Sequence, residues 1–294
     1  MSASSVSRVE LARASREQSG YLLMVFAVLL FSLLGVIIRT VGTSIHVTQI
    51  ALFRSLTGAL IAGTLLSVRS NAPPIKNHRA LWGRSLIGTG AMVAYFTSVA
   101  DRSAPLGDIV AIRNTAPLLT VIGAWVFLQE RPHARLYVAW ALGFVGVLAI
   151  AGPGLETTGF VAMLALTAAA LSAGRNLFLR VLRDESTERV VLHFSLVSAA
   201  LMAAVMPFVW RDPTATEWLL MGAAGLCAGI GQLCMTEAYA RAPAGPVAIT
   251  GYIGMVFSYL WSVVIFDESY TAASIAGAVC IAAAGIWMAS GKRP

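Results

Sequence analysis

Ten stretches of mostly apolar residues alternate with short polar connectors from one end of the chain to the other. They lie near 20–38, 46–68, 81–100, 105–128, 136–152, 158–179, 190–210, 217–240, 244–266 and 272–290. As helices rising about 1.5 Å per residue, runs of roughly 20 residues match a hydrocarbon layer of about 30 Å. The first run is read as an anchor and not as a cleaved signal, because 19 mostly polar residues precede it and no small-x-small site follows. The predicted class is an all-α integral membrane protein with ten transmembrane helices, and the short connectors leave almost no mass for a soluble domain.

The pattern also repeats. Residues 100–130, ADRSAPLGDIVAIRNTAPLLTVIGAWVFLQE, recur 138 positions later as AYARAPAGPVAITGYIGMVFSYLWSVVIFDE, 238–268, without a gap. Both copies carry Ala-Pro-x-Gly near the start and close on a glutamate, Glu130 and Glu268. A fixed offset is the signature of a duplicated unit. The copies are offset by five spans, from span four to span nine, and an odd offset means that the second half enters the membrane from the opposite side. The expectation is therefore two inverted five-helix repeats, 20–152 and 158–290, behind a polar N-terminal tail of residues 1–19. Pro105 and Pro243 suit first-turn positions, where a missing N–H costs nothing. Pro117 falls in the middle of span four, as a kink beside a cavity or as a tolerated membrane proline. Gly222, Gly225 and Gly229 form a small-residue stripe along span eight, where a neighbouring helix can come close.

Composition agrees with the spans: 57% of residues are hydrophobic, only 12% are charged, and the mean hydropathy is +0.76. The net charge of +7 raises the question of a polyanionic partner. Sorted by side, fifteen Lys and Arg residues, Arg84 counted among them, fall on the side of the N-terminus. Three, Arg39, Arg102 and Arg211, fall on the other. That bias places both termini in the cytoplasm of a cell with a bacterial-type inner (plasma) membrane, and it accounts for the charge without nucleic acid. Cys227, Cys234 and Cys280 all lie inside spans, so they read as packing residues and not as a disulfide or metal framework.

An ionised side chain at the bilayer centre costs about 2.5–3.5 kcal/mol even on the lenient insertion scale, so the exceptions are the candidates. Arg113 and Asn114, a third of the way along span four, form the leading pair. Their repeat counterparts, Gly251 and Tyr252, sit at the same depth measured from the opposite face. Arg54, in mid-span two, either contacts substrate or pairs structurally, and Arg175 lies within snorkelling reach of the interface. Tyr95 and Tyr252 lie deep enough to face a pocket or lipid. Glu237 either carries a proton or pairs with Arg241, and Asp108, just over a turn before Arg113, is the second acidic candidate for proton coupling. His46 and His193 read as hydrogen-bonded packing residues. Three arginines against one or two acids leave the interior net positive. A substrate facing them should carry at least one anionic group, most simply a carboxylate.

The repeat unit, Phe53-Arg54 in span two, Asn114-x-x-Pro117 in span four, Gln129-Glu130-Arg131 at its close, and Gly143 and Gly146 in span five resemble the EamA-type, ten-helix branch of the drug/metabolite transporter superfamily. The resemblance implies two inverted halves around a central cavity lined by the first four helices of each, with spans five and ten at the periphery. It also implies cargo among amino acids, organic acids, nucleotide derivatives or vitamins. The second half departs from the pattern, with Ser195 in place of the span-two arginine and Gly254-Met255 in place of the proline.

Other classes fit less well. A GxxxxGK[ST] loop for ATP, an HExxH or paired-cysteine motif, and an intramembrane lysine for retinal are all missing from the sequence, so no cofactor and no metal is expected. The expected function is a secondary transporter, not an enzyme, for a carboxylate-bearing metabolite such as an amino acid. A carrier of organic anions or nucleotide- or vitamin-like metabolites is the alternative, and a channel, which would not saturate, is the remaining rival. The expected partners are that substrate and the lipid bilayer, with monomer and homodimer both open.

Overall fold

Helices long enough to cross a bilayer need no backbone partner beyond themselves, and the computed structural model is built from them. It describes residues 3–68, 74–101, 109, 112–130, 134–151, 159–266 and 272–289. The helices are α1 (Ala3–Val41), α2 (Val47–Val68), α3 (His78–Ala100), α4 (Ala116–Leu128), α5 (Ala134–Ala151), α6 (Gly159–Val181), α7 (Thr187–Val209), α8 (Ala215–Arg241), α9 (Ala244–Thr250), α10 (Ile253–Phe266) and α11 (Ala272–Ala289). These fill all ten expected spans, because α9 and α10 together make span nine. Five of the helices, 14–41 within α1 and the whole of α2, α6, α7 and α8, meet a span's length and hydropathy unaided. The outer surface is apolar: Phe208, Val68, Phe127 and Leu219 are each more than 70% exposed. Such a surface belongs against lipid.

Local signals set the helix starts. Asn77 Oδ1 accepts from the Ala80 N–H at 3.0 Å to begin α3, and Thr214 with Glu217 forms a capping box for α8. The polar tail expected over residues 1–19 is not separate from the first span, since α1 runs unbroken from Ala3 over 39 residues. At about 58 Å it exceeds the bilayer core and must extend beyond it.

The halves are inverted and interlocked. α1 packs on α8 and α3 on α6, α2 packs on α7, α4 on α9 and α5 on α11. Exchanging first-half and second-half helices maps this set of pairs onto itself. Antiparallel insertion is visible at the ends. The Arg241 guanidinium, ending α8, donates to Ser19 Oγ near the start of the first span, while Arg180, ending α6, donates to the Tyr239 carbonyl. The beginning of span one and the end of span six therefore share one end of the bundle, hereafter the Glu130 end. The other end is tied by Ser44 to Glu217 and by the Gln49 amide to the Arg211 backbone.

Both repeat-related spans break. Pro117 cannot accept a helix that continues through it, since it has no N–H for the Arg113 carbonyl. The chain turns at Asn114 and Thr115 instead, and Pro117 sits in the first turn of α4. This corrects the mid-helix kink. Span nine turns at Gly251 and Tyr252, where Tyr252 N–H bonds the Ile249 carbonyl at 3.0 Å, three residues back. A Cβ on Gly251 would lie 2.9 Å from the Ala248 carbonyl oxygen and 2.9 Å from Met24 Cε.

The glycine stripe of span eight packs as expected at two of its three positions. A Cβ on Gly225 would stand 2.7 Å from Thr57 Cβ, and one on Gly229 would stand 3.2 Å from Gly58 Cα, while Gly222 meets nothing within 4 Å. Gly225→Val should therefore cost about 1–3 kcal/mol by overpacking α2 against α8. Gly222→Val should leave the melting temperature in detergent nearly unchanged, and equal shifts in the two variants would refute the assignment.

Candidate functional site

A cavity of about 130 Å³ lies between the halves. It offers room for on the order of ten water-sized groups. Spans one to four and six to nine line it, and among the described residues none from α5 or α11 does. That is the division the family resemblance implies.

The break in span four places Arg113 and Asn114 on the cavity wall, and Arg54 from α2, Tyr95 from α3 and Arg175 from α6 join them. The Arg113 guanidinium carbon lies 4.1 Å from the Tyr95 ring centroid. Arg54 stands 5.6 Å from the Phe96 centroid and 6.0 Å from that of Phe194. Arg175 donates through Nε and Nη2 to Asn176 Oδ1 at 3.3 and 3.2 Å, and Asn176 Nδ2 donates on to Thr120 Oγ1 at 3.3 Å. Three guanidiniums and, among the described residues, no carboxylate line the space. Among the described residues the groups facing them are ring faces and amides, so the cavity wall carries net positive charge. Among the described residues no group of three or more His, Cys, Asp or Glu is placed to hold a metal.

Five of the eight expected site residues thus converge. Tyr252 does not join them. It is fully buried away from the cavity, in a cluster with Val121, Leu136 and Met255, where Gly143 leaves space for its ring. Its neighbour Gly251 reaches the cavity wall instead. Glu237 is likewise elsewhere: it accepts from Arg241 Nε at 2.8 Å and from Thr187 Oγ1 at 2.5 Å near the Glu130 end. Of the two readings offered for it, the geometry matches the partner of Arg241. Asp108 lies outside the described residues. His193 is a packing residue, with Ser85 Oγ at 2.9 Å and Trp82 edge-on at 4.7 Å.

Sequence reasoning missed one arginine. By sequence Arg84 reads as a connector charge, but it is fully buried on α3, with its guanidinium carbon 3.7 Å from the centroid of Phe194, a cavity-lining ring. The available signal was its position one turn inside span three, followed by Ser85 and Thr89.

The comparisons agree with this geometry. The model of the EamA-like transporter family matches residues 18–152 and again 159–290. The pseudopaline exporter CntI of Pseudomonas aeruginosa is 28% identical over 281 residues, covering 94% of this chain and 98% of that protein. A riboflavin transporter of Vibrio cholerae is 29% identical over 143 residues, 48% of each chain. A solved crystal structure superposes with a TM-score of 0.77 at 20% identity, covering 92% of this chain and 96% of the other, and supports the fold. The chain is a member of the EamA-like transporter family, within the drug/metabolite transporter superfamily: a multi-pass membrane transporter of a small molecule.

Proposed function

We propose that this transporter is a secondary carrier for a small anionic metabolite, most simply one bearing a carboxylate such as an amino acid. Its two halves, 20–152 and 158–290, would rock about a site near the bilayer midplane. The observation that carries the reading is the cavity between the halves, walled by Arg54, Arg113 and Arg175 with no carboxylate among the described residues. Arg113, Asn114, Arg54, Arg175 and Tyr95 are the proposed binding residues. Broken spans four and nine support it, because a helix that ends inside the membrane exposes backbone groups that need a polar partner. The charge bias supports cytoplasmic termini in an inner membrane.

The test is flux into proteoliposomes. A panel of labelled amino and organic acids should include one whose uptake saturates and is competed by the unlabelled compound. Uptake proportional to concentration, far above carrier rates, would identify a channel and overturn the proposal.

A further inference from the structure

Arg84 does not line the cavity, and among the described residues no anion accompanies its burial. It is 0% exposed, and Nε, Nη1 and Nη2 all lack a hydrogen-bond partner among the described residues. A buried guanidinium without an anion is among the least favourable arrangements a fold can hold. Its visible compensation is the Phe194 ring face at 3.7 Å, and a ring quadrupole stabilises a cation far less than a carboxylate does.

The same ring gathers two further arginines. Arg54 approaches its centroid at 6.0 Å. Gly88, one turn along α3 from Arg84, has no side chain, and a Cβ there would stand 3.2 Å from Phe194 Cε2 and 3.4 Å from Arg175 Cδ. Arg54, Arg84 and Arg175 are thus grouped around Phe194, and Arg113 faces the same cavity from beside Tyr95. A ligand with one negative charge would balance one of four cations.

We infer that the cargo is a dianion, a small metabolite with two carboxylates or one phosphate monoester. Arg113 and Asn114 receive one part of that charge and Arg54 and Arg175 the other, while Arg84 is a positioning residue whose field acts through Phe194. This rests on the carrier reading of the same cavity and narrows its substrate class.

The experiment measures binding by purified protein to probe pairs that differ by one charge: succinate and succinamate, glutarate and glutaramate, phenyl phosphate and methyl phenyl phosphate. In at least one pair the dianion should bind about tenfold or more tightly than its partner, the carboxylate and phosphate arms separating the two chemistries. Arg84→Met should cut that preference below about threefold, and Arg84→Lys should keep most of it. Without ligand, Arg84→Met should melt at a higher temperature than the unmodified protein, because an unpaired buried charge is replaced by an apolar group. A merely structural Arg84 predicts the opposite shift. Equal binding within every pair, no binding by any probe, or a preference unaltered by Arg84→Met overturns the inference. Saturable flux of singly charged probes alone would sink the dianion and leave the carrier standing.

Discussion

Arg113→Ala is expected to weaken ligand binding at least about 30-fold, a loss of roughly 2 kcal/mol or more, and to abolish measurable flux. The size follows from how little else engages this side chain. Among the described contacts its guanidinium meets the face of Tyr95, and the residue lines the cavity. Arg175 differs, since two of its nitrogens already donate to Asn176 Oδ1, which is held in turn through Thr120. Arg175→Ala should therefore weaken binding less than Arg113→Ala does. Arg113→Lys should fall between wild type and Arg113→Ala, because a single ammonium keeps the charge but not the planar fork. Isothermal titration with the best-bound anion measures all three. A larger loss in Arg175→Ala than in Arg113→Ala would reverse the ranking and move the centre of the site from span four to span six.

What made the architecture readable is the severity of the bilayer as a solvent. Each span must be long, apolar and internally hydrogen-bonded, and an odd offset in spans between the two copies of a repeat fixes inversion. The constraint is weaker within a span. Pro117 announced a disturbance in span four, but hydropathy cannot say whether the chain bends through a proline or stops and restarts before it. In span nine the break at Gly251 and Tyr252 has no proline. What marks the position is the close approach of Met24 from α1, which leaves no room for a Cβ on Gly251 and is visible only in the packed structure. Depth alone singles out Tyr252, yet depth does not fix the azimuth of a side chain, and here the ring turns towards Gly143 of α5. Arg84 was lost for the converse reason. A cation one turn inside a span reads as an interfacial charge, and only the packing of α3 against α6 and α7 removes it from the interface. Arg113 and Asn114 were recoverable because charge, depth and repeat position pointed the same way.

Glu130→Ala should loosen one end of the molecule selectively. Glu130 closes the first copy of the repeat, and the left-handed backbone of Gln129, φ 55°, turns the chain just before it. Its carboxylate takes Arg180 Nε at 2.6 Å and the Ala244 N–H at 2.8 Å, both from the opposite half. The two charged side chains are only 13% and 21% exposed, so the pair is shielded from solvent. Removing the anion leaves Arg180 with the Tyr239 carbonyl at 3.3 Å and leaves the first amide of α9 without its acceptor. Truncating one partner of such a pair costs about 3 kcal/mol. In a rocking carrier this tie must open in every cycle, so its loss should favour conformations open at the Glu130 end. Amide exchange over Ala244–Thr250 should accelerate at least about 30-fold, the equivalent of roughly 2 kcal/mol. Glu217→Ala, which removes the acceptor of Ser44 at the far end, should leave that segment's protection intact. If α9 exchanges at the wild-type rate in Glu130→Ala, the carboxylate is no latch and the moving contacts lie elsewhere. If both variants accelerate it equally, the ends do not open separately and alternating access about the central cavity is lost as the mechanism.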